Sequence, residues 1–582
     1  MTGTSSGPEG AWTAAFPVDS LPMGGGKVFR HGPDQVAVFR LEDGRIFAVD
    51  NRCPHEGYPL VQGACKGQIL TCTWHNYKFD LSDGSCLLGD EAVRAFPLRV
   101  RDGLIELDLS PPDQTALRQK LWAGLKESVE EYETGRAARE AARLIQTGVD
   151  PREIVAFAAV YDAERGQWGT THALPVAAEV LDLLPGYAGL DAVLPLAELL
   201  EMASFPHIRR PARPVPDPVD PGPDPVEAAA RLRALVEEEQ AGPAEALVRG
   251  AVARGWGRAE LEPAFFALTA DHFLDFGHAL IYQARIFDLL DAVGWQHADP
   301  VLRAFTCAIA LGTREDLLPG WAGARKRLSI IEADLPKLFE LQSLNIEPSA
   351  EHSPDAIAAA VLDGTPAESF QAVHHALQAG VPLERIVDGL SLAASERLLR
   401  FDLRIDARED LLNDWLDVTH LLTFCEALRV AVRRYRSPDV LKLLFQGEHF
   451  IHRARPLDGP RSPSEPVPAS VEDVLGHIGA RWVDEAVRAT AGLLQAGGRE
   501  HLERALLAVA IRDPAVRAIV VAHVLKTTAS AFREARALDQ PEPVLALVRF
   551  LAAPKQERRI GRQARHSIDL VGEGRIPRDL VG

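Results

Sequence analysis

Four residues restrict this chain more than any others: Cys53 with His55, and Cys72 with His75. Each cysteine is followed by its own histidine, in "CPH" and "CTWH", and sixteen residues separate His55 from Cys72. That interval suits two ligand loops joined by a hairpin. Two thiolates on one iron and two neutral imidazoles on the other make an asymmetric two-iron donor set. Exchanging two thiolates for imidazoles removes negative charge and raises the potential to roughly −150 to +300 mV. Zinc also accepts Cys₂His₂, but zinc fingers bring their histidines together in a helix.

The surrounding sequence is β-rich. Alternating apolar runs flank Asp43-Gly44, Asp83-Gly84 and Asp102-Gly103, each a hairpin signal. Residues 12–108 therefore read as a small all-β module. Over this span the chain resembles the Rieske ferredoxin family, with Cys53, His55, Cys72 and His75 as the 2Fe-2S ligands. The loops "CPHEGY" and "CTWHNY" lack the extra cysteines of the respiratory branch, so the resemblance is to soluble ferredoxins and oxygenase-type domains. Cys65 and Cys86 lie outside the loops and read as ordinary reduced thiols.

A chain of 582 residues exceeds one hydrophobic core. A net charge of −19 disfavours nucleic acid, whose phosphates need a basic surface. The N-terminus shows no secretion signal, and no apolar run reaches the ~18 residues of a membrane span. A soluble, cytoplasmic protein is expected.

Beyond residue 113 helical spacing takes over. Four segments share a plan. A helix ends in a small-residue stop ("IQTGV", "VARGW", "LQAGV", "LQAGG"), and a later helix carries one histidine. These are His172, His278, His420 and His523. Alternate pairs are 248 and 245 residues apart, and so are the linker-flanking His207 and His452, at 245. Two Pro-rich linkers, 214–225 and 456–468, match in character. The region reads as a large all-α assembly of four pseudo-repeats in two tandem halves of about 245 residues. The units are 113–226, 227–350, 351–468 and 469–570.

Pseudo-symmetry can bring the four histidines to one metal, since each lies on an apolar stripe. The competing reading is a structural histidine copied by duplication. Lys526, three residues after His523, shares its face. If it is buried, its amine becomes neutral and can capture carbon dioxide as a carbamate, an anionic oxygen ligand. Otherwise it reaches solvent or pairs with a carboxylate. The motifs "THALPVAAEVL", "FGHALIYQARI", "THLLTFCEALR" and "AHVLKTTASAF" resemble the questin oxidase-like family of oxygenases, over roughly residues 120–570. That resemblance implies a mononuclear non-haem iron held by histidines, a carboxylated lysine, and oxidative cleavage of a polycyclic ketone or quinone.

Secondary candidates remain. His207 and His452 are either further ligands or residues that position a linker or an anionic substrate. Asp275 and Asp417, three residues before His278 and His420, either orient the imidazoles or bind metal. Phe265, Phe266, Phe273, Phe276, Tyr282 and Trp415 line an aromatic substrate pocket or are core. No further catalytic residue is assigned.

The expected function is a Rieske-fused non-haem iron oxygenase. An external ferredoxin or NAD(P)H-dependent reductase supplies electrons through the 2Fe-2S cluster to the mononuclear iron. Dioxygen is the co-substrate, and a small apolar organic molecule is oxidised. The alternative is a Rieske electron carrier docked to a separate oxygenase by a helical scaffold without its own metal.

Overall fold

The structure is a computed structural model that describes residues 12–342, 349–512, 514–555 and 560–581. The chain divides between Glu127 and Ser128 into two compact units.

Among its described residues the first unit holds ten strands: β1 (Trp12–Pro17), β2 (Gly25–His31), β3 (Asp34–Arg40), β4 (Ile46–Asp50), β5 (Ala64–Lys66), β6 (Ile69–Thr71), β7 (Lys78–Asp80), β8 (Cys86–Leu88), β9 (Leu98–Arg101) and β10 (Leu104–Asp108). They form three antiparallel sheets in the orders β1-β10-β9, β2-β3-β4 and β5-β6-β7-β8. The hairpin signals fall on tight reversals. Gly44, Gly84 and the pair Asp102-Gly103 have positive φ, the conformation such turns require. Strand β3 reads "QVAVF" without alternation because both its faces are buried. Val36 and Val38 join a core with Phe16, Ile105 and Leu107. Ala37 and Phe39 join another with Leu70, Phe79 and the cysteines Cys53 and Cys72.

The second unit is helical. Among the described residues, the fourth helix of ten or more residues in each expected segment carries or abuts the histidine. These four are Ala173–Leu183, His278–Val293, Trp415–Arg434 and Ala518–Leu538. Each packs on the next, and the last returns to the first, closing a ring. The Pro-rich linkers lie along the second helix of the segment that follows. Val219 donates its N–H to the Ala246 carbonyl at 2.9 Å, and Val467 to that of Arg488 at 3.2 Å. The linker backbone comes so close at Gly250 and Gly492 that an added Cβ would stand 1.7 Å from the Val219 oxygen and 1.9 Å from the Val467 oxygen. Only glycine fits there. Among the described residues no helix is long and apolar enough to cross a membrane.

The core contains one carboxyl whose titration is predictable. Glu448 is fully buried and accepts from Ser369. Burial pushes its pKa from the usual 4.5 up to about 7. Between these values the folded chain holds a proton that the unfolded chain has lost. Stability therefore falls as pH rises through that window. Glu448→Gln keeps the acceptor and cannot ionise. Thermal melts of the variant are expected to flatten over this window, and at pH 8 it should gain on the order of 3 kcal/mol over the parent. Parallel melting profiles for the two proteins would contradict this.

Candidate metal centres

The two ligand loops of the β unit share one backbone design. Cys53 donates its N–H to the Tyr58 carbonyl (2.9 Å), and Cys72 to that of Tyr77 (2.8 Å). Gly57 and Asn76 donate back to the Cys53 and Cys72 carbonyls at 2.8 and 3.0 Å. Both take positive φ, which Gly and Asn tolerate best. Each turn thus presents one thiol inward and one imidazole outward. Cys53 lies buried against Cys72, and burial raises its thiol to about 11. A buried thiol this reluctant to ionise, with a second cysteine beside it, suits a site where a cation supplies the compensation. His55 and His75 face each other across 3.0 Å between their Nδ1 atoms. His55 stacks on Tyr77, and Trp74 stacks on Tyr58. Two buried thiols, a half-buried imidazole (His55) and an exposed one (His75) fit a 2Fe-2S cluster with its histidine end towards the surface. Cys65 and Cys86 stand apart from these ligands as free thiols, each raised by burial, Cys65 to about 11.

In the helical unit one ligand atom from each of His172, His278, His420 and His523 lies within 4.8 Å of the others. Nε2 of His420 and Nε2 of His278 are 2.8 Å apart. The hydrogen bonds fix two tautomers. His420 donates its Nδ1–H to the Leu416 carbonyl at 2.6 Å. Thr419 Oγ1 donates to that same carbonyl and accepts Nδ1–H from His523 at 3.0 Å. Nε2 of both rings is therefore a bare lone pair. The buried Nε2 atoms of His172 and His523 have no hydrogen-bond partner. An unsatisfied buried polar atom costs about 1–3 kcal/mol, and burial drives all four imidazoles well below their ordinary pKa. Four neutral imidazoles converging on one point form a donor set that fits a divalent transition metal.

The fixed tautomers give a first test of that fit. Thr419→Val keeps the shape and removes the acceptor that orients His523. Metal affinity of the helical site is expected to fall about 10–100-fold, the usual cost of losing an outer partner of a ligand. Competition titration against a chelator reads it, and unchanged affinity would contradict the assignment.

The Rieske [2Fe-2S] domain family matches residues 11–98. A 3-phenylpropionate/cinnamic acid dioxygenase ferredoxin subunit of Photorhabdus laumondii is 33% identical over 96 residues, covering 16% of this chain and 90% of that protein. The chain belongs to the Rieske [2Fe-2S] family. Its Rieske domain is also similar to proteins with longer chains. A 4beta-methylsterol monooxygenase of Methylococcus capsulatus is 36% identical over 92 residues, 14% of this chain. The chain spans a quarter of that monooxygenase's length, 25%. Among solved structures, a ferredoxin of Sphingomonas yanoikuyae B1 is 25% identical, with a TM-score of 0.16, covering 17% of this chain and 98% of the ferredoxin.

Outside the Rieske domain, Lys526 is 2% exposed and its Nζ has no hydrogen-bond partner. Burial lowers its pKa to about 7, with only Glu179 opposing. The side chain neither reaches solvent nor pairs with a carboxylate. The same helix buries the unpartnered hydroxyls of Thr527 and Thr528. Further along the four helices a second polar layer ties the ring together. Glu179 holds Arg285 at 3.1 Å and Arg533 at 2.6 Å, and Glu426 holds Arg285 at 2.5 Å. One residue of this layer comes from each histidine helix. It was not foreseen because no local motif marks it.

His278 also lines a cavity of about 370 Å³, walled by Trp168, Thr170, Asp275, Tyr282, Phe305 and Ile309 among others. The backbone reaches His278 through Asp275, Phe276 and Gly277, all at positive φ. Such a run is costly for non-glycine residues. It is held by Thr313 N–H on the Asp275 carboxylate (2.9 Å) and by Phe276 N–H on Glu315 (2.7 Å). Gly277 is required as well, since a Cβ would meet the Phe424 ring at 2.4 Å.

The acidic and histidine candidates are bonded elsewhere than to the quartet. Asp275 is tied to Thr313 and lines the cavity, its carboxyl raised by burial. Asp417 is a helix cap, bonded to the Asp414 N–H and to Asn413. Neither carboxylate bonds an imidazole: Asp275 is taken by the Thr313 N–H, and Asp417 by the start of its own helix. His207 pairs with Asp162, and His452 meets the Val361 carbonyl. Of the six aromatic residues only Tyr282 lines the cavity. Phe265 stacks on Phe305, Phe266 on Tyr435, Phe273 on Trp321, and Trp415 packs on Phe401. Phe276 stacks over His420. Helical periodicity alone does not separate a cavity wall from a core.

Proposed function

We propose that the chain is a Rieske-fused oxygenase whose second metal site is the histidine quartet. The observation that carries this reading is the convergence of four neutral imidazoles, two of them with fixed tautomers, beside a cavity that one of them lines. When bound, the two metal groups supply one-electron transfer and dioxygen activation. The protein's residues do the rest. His172, His278, His420 and His523 hold a mononuclear iron. Lys526, buried and about half neutral near pH 7, would take up carbon dioxide at Nζ, release a proton and offer the resulting carbamate as an anionic ligand. The cavity binds a small apolar molecule against Tyr282, Phe305 and Ile309, with Asp275, Thr170 and Thr313 as the polar groups that orient it. The motifs shared with the questin oxidase-like family support a polycyclic ketone or quinone as its class.

Electrons come from an external ferredoxin or NAD(P)H-dependent reductase through Cys53, His55, Cys72 and His75. Covalent fusion raises the effective concentration of donor at acceptor. The dioxygenase ferredoxin subunit that this chain matches over nearly its full length supports a second reading, an electron carrier on a metal-free helical scaffold. Oxygen uptake separates the two. The purified chain, given a reductase and a panel of polycyclic ketones and quinones, should consume dioxygen and yield an oxidised product. Uptake only after adding a second oxygenase component would favour the carrier. Omitting bicarbonate should lower activity at constant iron, and Lys526→Met should abolish that bicarbonate dependence.

A further inference from the structure

The pair His207–Asp162 is absorbed by neither metal centre, yet it is fully buried. Asp162 lies on the helix Pro151–Arg165 and is 0% exposed. Its Oδ1 accepts from Thr171 Oγ1 at 2.6 Å and from His207 Nε2 at 2.9 Å. Its Oδ2 accepts from Thr170 Oγ1 at 2.8 Å and from Thr171 N at 3.1 Å. Four donors fill the capacity of one carboxylate. Thr171 Oγ1 also accepts from Ala173 N, the first residue of the next helix, at 3.2 Å. The residues on both sides of His172 are thus tied to a single buried group. The same loop places Thr170 and Trp168 on the cavity wall.

We propose that Asp162 and His207 are positioning residues that brace the 166–173 loop and so aim His172 into the quartet. The inference rests on the quartet reading for its functional meaning. The need for a brace follows from the backbone. His420 lies inside the helix Trp415–Arg434, where the hydrogen-bond ladder fixes it. His172 stands at the very start of its helix, after an irregular stretch, with no helical turn before it. The counterpart of His207 in the second half does no such work: His452 spends Nδ1 on the Val361 carbonyl.

The test compares His207→Leu, His207→Gln and His452→Leu in the full chain without metal. Amide hydrogen exchange is followed over residues 166–176. Cobalt(II) binding is followed by its visible ligand-field spectrum. His207→Leu should speed exchange in 166–176 at least tenfold, leave 415–434 at the parental rate, and weaken cobalt binding about 10–100-fold. His207→Gln, whose amide donates to Asp162, should restore both, and His452→Leu should change neither. Should His207→Leu not fold, Thr171→Val removes bonds to the same carboxylate and is read on the same peptides. Parental exchange in 166–176 for the folded variant, or equal loosening by His452→Leu, overturns the brace. A parent chain that binds no cobalt at the quartet overturns the metal reading instead, and the exchange result still decides the brace.

Discussion

Replacing His278 by alanine is expected to take the anaerobically purified chain from about three irons per two acid-labile sulfides to about two per two. On the proposed function the cluster of the Rieske domain would account for two irons and both sulfides, and the quartet for the third iron. His278 Nε2 lies 2.8 Å from that of His420, so its loss opens one side of the donor set and widens the cavity it lines. The effect on iron affinity should exceed the roughly 10–100-fold cost of losing an outer partner, because a ligand itself is removed. Oxidation of the organic substrate should vanish while the reductase still reduces the chain. A ratio of two to two in both parent and variant would sink the second site. One equivalent of zinc in place of the third iron would point to hydrolytic chemistry instead.

Removing the first centre is expected to have the complementary result. Cys72→Ser withdraws a buried thiolate from the loop that Cys72 N–H and the Tyr77 carbonyl close. The visible absorption and electron paramagnetic resonance of the reduced cluster should disappear, and two irons and both sulfides should be lost. The iron of the quartet should stay. Substrate oxidation driven by an external reductase should fall by more than about a hundredfold, equivalent to ~2.7 kcal/mol or more in barrier terms. Undiminished reductase-driven turnover in this variant would mean that electrons reach the helical site by another route, and the fusion would need a different explanation.

Much of this was legible in the residues. Cys53, His55, Cys72 and His75 identified the cluster because metal chemistry demands fixed donor types at short, local spacings, and the Asp-Gly turns reported the hairpins around them. The four histidines of the helical region were also visible, through intervals of 245 to 248 residues. Their helices close one ring in space, and the geometry adds the fixed tautomers of His420 and His523. Thr419 stood next to His420 throughout, yet nothing in "DVTH" says that its hydroxyl receives a proton from a ring 104 residues away.

The aromatic residues show where sequence reasoning stops. Phe265 and Trp415 lie on apolar helix faces as Tyr282 does, but of the three only Tyr282 lines the cavity beside His278. Asp275 and Asp417 share the interval to their histidines, but the Thr313 N–H takes the first carboxylate and a helix-capping box takes the second. The sequence by itself determined the cofactor class of the β unit, the all-helical character of the remainder and the identity of the four inward histidines. These follow from local donor chemistry and from periodicity. Only the tertiary structure decided which face each histidine meets, that the Lys526 amine is buried without a hydrogen-bond partner, and that Asp162 gathers the bonds of the loop before His172. Those facts depend on contacts between residues far apart in the chain, and no local pattern encodes how four helices close into a ring.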